Sequence, residues 1–150
     1  NMTALSRIEL TNNQLEGEIP STLALLPKLT NLCLDSNRLV GEIPSTLFKV
    51  TTLKDLYLQD NQLSGELSVD FANFKLNNLD LRDNNFEGAI PENISEGGFT
   101  LSKSVLHLSG NRLTGTIPQN LWSKMESHPN WSIREQQNGV ILAPPPGKTE

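Results

Sequence analysis

Apolar and polar positions recur along this chain with a period longer than that of any single strand or helix. Five short segments carry apolar residues two apart: Ile8 and Leu10, Leu32 and Leu34, Leu56 and Leu58, Leu79 and Leu81, and Leu106 and Leu108. Each leads to an asparagine, and Asn13, Asn37, Asn61, Asn84 and Asn111 are spaced by 24, 24, 23 and 27 residues. Two residues after each asparagine stands Leu15, Leu39, Leu63, Phe86 or Leu113. Two further on stands Gly17, Gly41, Gly65, Gly88 or Gly115. Then come Ile19-Pro20, Ile43-Pro44, Leu67-Ser68, Ile90-Pro91 and Ile117-Pro118, and after them Leu23, Leu47, Phe71, Ile94 and Leu121. Self-similarity at a fixed period of this length marks a solenoid, because one unit cannot bury its apolar face until neighbours stack on it. Strict alternation predicts short strands that send Leu32 and Leu34 inward and Cys33 outward. Strands from successive coils would then pair in parallel, roughly 4.8 Å apart. Hydrophobicity does not explain the asparagines. Their amides carry donors and an acceptor that can satisfy backbone groups where the chain turns inside the coil, so five of them stacked form a ladder. The glycines allow backbone shapes closed to other residues, and the prolines suit an irregular or 3₁₀ back.

This order resembles the plant-type leucine-rich repeat, L-x-x-L-x-L-x-x-N-x-L-x-G-x-I-P-x-x-L, over residues 5–122. The resemblance implies an α/β-type repeat solenoid, a right-handed superhelix with a parallel β-sheet on the concave face and a 3₁₀ or irregular convex side. It also implies a short second strand from the L-x-G-x-I-P segment. The chain then divides into the tail of a preceding repeat at 1–4 and five repeats at 5–28, 29–52, 53–75, 76–102 and 103–122. A cap-like segment at 123–142 and a proline-rich linker at 143–150 follow. Met2 stands where Leu26 and Val50 stand in later repeats, so a further repeat is expected ahead of it, and the first coil is expected to expose an apolar flank. The paired-cysteine caps usual in the family are not present in this segment, so they lie outside it or are absent. Leu67-Ser68 in place of Ile-Pro softens the third repeat. The extra residues at Glu96-Gly97-Gly98 predict a bulge over Ser95–Ser104. After Leu121 the pattern lapses. A short helix is expected within Pro118–Ser127, with proline in its first turn. Asn138-Gly139 then predicts a hairpin whose strand Val140-Ile141-Leu142 covers the last coil with Trp122 and Trp131.

Composition narrows the function classes. A formal net charge of -5 disfavours nucleic acid as the partner, since phosphate binding needs an excess of Lys and Arg. No apolar run approaches the ~20 residues of a membrane helix, so membrane contact would come from an anchor outside this segment. The one cysteine, Cys33, excludes an internal disulfide framework and a cysteine-based metal cluster. Expected outward, it reads as a tolerated exposed thiol and counts weakly against an oxidising compartment. No phosphate-binding loop occurs, and no cofactor is implied.

The outward strand positions are the candidate site: Arg7, Glu9, Thr11, Asn31, Cys33, Asp35, Asp55, Tyr57, Gln59, Asn78, Asp80, Arg82, Val105, His107 and Ser109. Asn12, Ser36, Asp60 and Asp83 follow at the strand ends. Six of these are acidic and two basic, which suits a cationic protein or peptide. The candidates for ligand contact are Asp35, Asp55, Tyr57, Asp80, Arg82, Asp83 and His107, with Tyr57 as the amphipathic anchor. Ser109, His107 and Asp80 invite a hydrolase triad. However, residues two apart in a strand lie roughly 6.5 Å apart, and no nucleophile elbow accompanies them. No catalytic residue is assigned. Asp60 and Asp83 should stack across coils, yet two carboxylates fall short of the six or more oxygens Ca²⁺ takes, so no metal site is assigned. Ice binding would need a flat, regular array of Thr or Asn, which these mixed, charged positions lack. Sequons occur at Asn1, Asn93 and Asn130. With 16 Asn and 24 Ser plus Thr in 150 residues, chance alone supplies about 2.6, so they carry no signal of secretion. Asn93 and Asn130 are the glycosylation candidates should the chain be secreted.

The resemblance therefore implies a non-catalytic recognition module, binding a protein or peptide on its concave face. It would form part of an extracellular receptor-like protein or kinase ectodomain, and any enzyme would be a separate domain. A secreted inhibitor or wall-associated protein, like the polygalacturonase-inhibiting proteins, and an intracellular scaffold are the other readings.

Overall fold

In the computed structural model, which describes residues 3–96, 98–99 and 104–148, each coil contributes a strand to each of two parallel sheets. The first sheet has the order β1-β3-β5-β7-β9. Its members are β1 (Arg7–Glu9), β3 (Asn31–Cys33), β5 (Asp55–Tyr57), β7 (Asn78–Asp80) and β9 (Val105–His107). The second runs β2 (Glu16–Glu18), β4 (Arg38–Gly41), β6 (Gln62–Glu66), β8 (Asn85–Ala89) and β10 (Arg112–Thr114). Sequence neighbours in each sheet are one coil apart, which is the topology of a solenoid. Short 3₁₀ segments, Ser21–Leu25, Leu47–Lys49 and Val69–Asn73, form the far side. The fifth coil carries a helix there instead, α1 (Gln119–Met125), preceded by Pro118 as the sequence predicts. The first sheet lines the concave side and the 3₁₀ segments the convex side.

Register follows the repeat. Ile8, Leu32, Leu56, Leu79 and Leu106 align across the first sheet. The last four are fully buried, while Ile8 is only partly so. Leu10 keeps 42% of its surface exposed, against 5% for Leu34 and 0% for Leu58 one and two coils on. No described residue covers the outer side of the first coil, and the expected apolar flank is present as a hollow of about 260 Å³ lined by Leu10, Leu15 and Leu23.

The asparagine ladder is built bond by bond. Asn61 donates from Nδ2 to the carbonyls of Leu34, Leu58 and Gln59, and its Oδ1 accepts the Leu39 N–H at 2.9 Å. Asn37, Asn84 and Asn111 repeat the pattern one coil earlier and one and two coils later. Asn13, in the first coil, is exposed and makes only the donor bonds within its own coil, to Leu10 and Thr11. The residue before each asparagine adopts positive φ: Asn12, Ser36, Asp60, Asp83 and Gly110 lie between 54° and 70°. Asn, Asp and Gly tolerate this conformation best, and Ser36 bears the larger strain.

The repeat does not lapse after Leu121. Trp131 and Ile133 occupy, 25 residues on, the places of Leu106 and Leu108, and both are buried. Gln136 takes the place of the next asparagine. Its Nε2 donates to the carbonyls of Leu108 and Ile133, and its Oε1 accepts the Leu113 N–H. Ser132 bridges His107 and Ala143 bridges Thr116, extending both sheets into a sixth, abbreviated coil. The expected hairpin around Asn138-Gly139 is present with a three-residue rather than a two-residue loop. Glu135 and Ile141 pair antiparallel, Gln137–Gly139 is a 3₁₀ turn, and Gly139 has φ of 75°. Of the expected covering strand, Leu142 is buried while Val140 and Ile141 remain exposed. Trp131 supplies the rest of the cover: its indole N–H donates to the Ser104 carbonyl at 2.8 Å, and its ring meets Phe99 edge-on at 5.7 Å. Half of the loop expected at Ser95–Ser104 lies outside the described residues.

Candidate recognition surface

The outward positions of the first sheet form three rows across the coils. The first row is Arg7, Asn31, Asp55, Asn78 and Val105. Its centre is Asp55, which accepts from the amides of both neighbours, Asn31 and Asn78. Asn78 in turn accepts the Val105 N–H at 3.1 Å. This row is a hydrogen-bonded strip, so Asp55 presents a charge already partly spent on its neighbours.

The second row is Glu9, Cys33, Tyr57, Asp80 and His107. Two expectations fail here. Cys33 points outward but is buried at 7% exposure, because a small side chain between Glu9 and Tyr57 of adjacent strands is overshadowed by them. Burial pushes its thiol above the usual range, with Asp35, Glu9 and Asp55 nearby adding to the effect and Arg7 opposing it. Asp80 is 2% exposed and both of its oxygens are held by the Arg82 guanidinium. It is therefore a support for Arg82, not a free ligand contact. Tyr57 stays half-buried at the centre of the row, its hydroxyl held un-ionised by burial and then by Asp55. His107 accepts the Ser132 backbone N–H at Nδ1, 3.0 Å away, which leaves Nε2 carrying the proton. Burial lowers its pKa against the opposing pull of Asp80. With Asp80 committed to Arg82 and His107 to the sixth coil, no proton relay runs from Asp80 through His107 to Ser109.

The third row is Thr11, Asp35, Gln59, Arg82 and Ser109. Asp35 is also buried, at 8%, and accepts from the Thr11 hydroxyl at 2.8 Å. Beyond this row Asp60 and Asp83 lie exposed on adjacent coils. Burial first, and the Asp60 charge second, raise the pKa of Asp83. Among the described residues no group of three or more His, Cys, Asp or Glu is placed to hold a metal ion. Both outward arginines have carboxylate partners, Arg7 with Glu9 and Arg82 with Asp80. The uncompensated charge of this face is thus carried by Asp60 and Asp83, with Asp55 and Asp35 behind them. Alternation gives the direction of Asp35 and Asp80 but not their shadowing by neighbours, which buries both.

Of the sequon asparagines, Asn130 is exposed just after α1, and Asn93 donates to the Val69 carbonyl from the convex side. No helix among the described residues is long and apolar enough to cross a membrane.

The family model for the leucine-rich repeat matches residues 4–26, 28–50, 52–74, 75–96 and 104–123. The chain belongs to the leucine-rich repeat family. Solved structures refine the kinship. The leucine-rich repeat chain is 34% identical to a chain in the structure of the Arabidopsis receptor kinase HAESA in complex with the peptide hormone IDA and the co-receptor SERK1. That match has a TM-score of 0.75 over 93% of this chain and 23% of that one. It is 33% identical to a chain of the Arabidopsis thaliana BIR3–SERK2 complex, at a TM-score of 0.75, covering 91% of this chain and 71% of that one. A plant ice-binding protein is 34% identical at a TM-score of 0.63, covering 73% and 34%. The leucine-rich repeat chain thus spans about a quarter of the HAESA chain. No curated protein matches it by sequence. The fold is that of plant leucine-rich repeat ectodomains, a non-catalytic scaffold for recognition.

Proposed function

We propose that this chain is a ligand-recognition segment of an extracellular, receptor-like leucine-rich repeat protein, and that its first-sheet face binds a cationic protein or peptide. The similarity to plant receptor ectodomains that were solved with a peptide hormone and with co-receptors supports the setting. The observation that carries the partner's chemistry is the charge balance of the face. Each arginine is bound to a carboxylate beside it, and Asp60 and Asp83 stand exposed with no ion pair of their own among the described residues, the Arg82 charge reaching them only at longer range. A lysine or arginine set between them would gain from both carboxylates, and Tyr57 offers a half-buried ring for an apolar neighbour. The ice-binding relative does not redirect this reading, since the outer rows here alternate charge, amide and ring with no flat hydroxyl array. Outside the cell, Asn130 is the more open glycan acceptor.

The test is surface plasmon resonance against synthetic peptides of graded net charge. Affinity should rise with positive charge, and the double variant Asp60→Lys, Asp83→Lys should weaken the best binder by about tenfold or more. Equal affinity of the variant would defeat the proposal. Asp80 is a poor choice for charge reversal, because a lysine there would break a buried ion pair and report on folding instead.

A further inference from the structure

A sizeable groove lies away from the first-sheet face. It holds about 610 Å³ at the corner where the second sheet turns into the 3₁₀ segments of the second and third coils. Its depth is apolar and aromatic: Ile43 is partly buried at the opening, with Phe48 and Phe71 below, their rings 5.0 Å apart and edge-on. One wall is the row Glu18, Glu42 and Glu66, the same position in three consecutive coils. The stems of these glutamates lie over the glycines of the next coil. Glu18 Cγ sits 3.0 Å from where a Cβ on Gly41 would be, and Glu42 Cγ 2.8 Å from that on Gly65. The positive φ of those glycines excludes side chains there, so the glutamate stems have a fixed bed and the groove stays open. The row ends where Ala89 and Thr116 take the position in the next two coils. The ion pairs among the described residues involve Glu9, Glu16 and Asp80, so none serves this row.

We propose that this groove docks an extended polypeptide segment carrying lysine or arginine side chains, at a surface separate from the first-sheet face. The carboxylates do not converge on a point, and no cluster fit for a metal ion forms here among the described residues. They are spread along the groove: in the second sheet Glu18 pairs with Val40, two residues before Glu42, so successive glutamates are offset along the strand as well as by one coil, roughly 8 Å apart. An extended strand puts alternate side chains roughly 6.8 Å apart, so two basic residues fit within the span of three glutamates, roughly 16 Å. A long basic side chain lays its methylene stem on Ile43 and Phe48 while its charged head reaches the carboxylates, a division a bare cation cannot use.

The test follows backbone amide shifts of ¹⁵N-labelled protein during titration with acetyl-Ala-Arg-Ala-Arg-Ala-amide. The controls are acetyl-Ala-Glu-Ala-Glu-Ala-amide and spermidine. The arginine peptide should shift Gly41, Glu42, Gly65, Glu66 and Ser68, and should bind more tightly than spermidine. The triple variant Glu18→Gln, Glu42→Gln, Glu66→Gln, which alters only exposed side chains, should keep the amide spectrum of the fold and bind about tenfold more weakly. Ser45→Trp, at the exposed rim, should block binding without touching the charges. Shifts confined to Asp60 and Asp83 would overturn the groove while leaving the first-sheet proposal standing. Equal binding by the triple variant, or spermidine binding as well as the peptide, would also overturn it.

Discussion

The asparagine at each turn does two jobs, holding its own turn closed and tying it to the previous coil, and only the second depends on position along the stack. Asn84 is 1% exposed and bonds to Leu58, Leu81, Arg82 and Leu63. Alanine there strands a buried N–H and buried carbonyls, at a cost of about 3 kcal/mol. Among the described residues the Asn13 side chain makes no bond to another coil, and it is exposed, so Asn13→Ala should cost below about 1 kcal/mol. Urea denaturation of the two variants measures the difference, and similar losses would mean the ladder acts within coils only. His107 gives a pH dependence at the same scale. Its pKa lies below the ordinary 6.5 in the fold, so the unfolded chain takes up its proton first. Its contribution is therefore complete above pH 6.5 and is lost as pH falls from there through the folded value. Protonation also removes the acceptor for the Ser132 N–H. The stability gap between the wild type and His107→Asn, whose side-chain oxygen still accepts, should change over this window. A parallel pair of pH curves would exclude the mechanism.

At the scale of the element, the sixth coil shows what a pattern conceals. The strands, the ladder and the second sheet were legible because five copies at nearly one spacing repeat the same residues. The sixth coil was not, because Trp131, Ile133 and Gln136 fill the leucine and asparagine places with different side chains of the same apolar or amide chemistry. A search on residue identity passes over them, although their distance of 25 residues from the fifth copy fits the period. Burial of Cys33, Asp35 and Asp80 was hidden for another reason: outward direction is local, while shadowing comes from side chains one coil away. The physical consequence is a cap in which the Gln136 amide takes the ladder's place, beside the bonds that Trp131, Ser132 and Gln137 make to the preceding coils. Gln136→Ala removes bonds to Leu108, Leu113 and Ile133, so hydrogen exchange should accelerate across Ser132–Ala143 while β3 and β5 keep their protection. Uniform acceleration through the chain would show that the cap and the stack open together.

For the whole molecule, stability in a solenoid is a sum over coil interfaces, so a coil with one neighbour should open before a coil with two. The two ends of this stack are unequal. At the C-terminal end Trp131, Ile133 and Leu142 close the core, all at 7% exposure or less, and Leu106 and Leu108 beneath them are at 0%. At the N-terminal end Leu10 is 42% exposed, Ile8 and Leu15 are only partly covered, and the Oδ1 of Asn13 accepts no bond. Burying one such leucine fully is worth about 2 kcal/mol, so the first coil forgoes several kcal/mol that its successors gain. In this 150-residue segment taken by itself, opening should therefore begin at β1 and β2 and advance toward β5. Native-state hydrogen exchange at low urea should rank β1 amides least protected, β3 next, and β5 and β7 near the global limit. Leu10→Lys should barely change the midpoint of global unfolding, whereas Leu58→Lys, the same position two coils inward at 0% exposure, should prevent folding. Equal protection of β1 and β5 would mean that the coils unfold as one unit, and that the exposed flank costs the stack less than its area suggests.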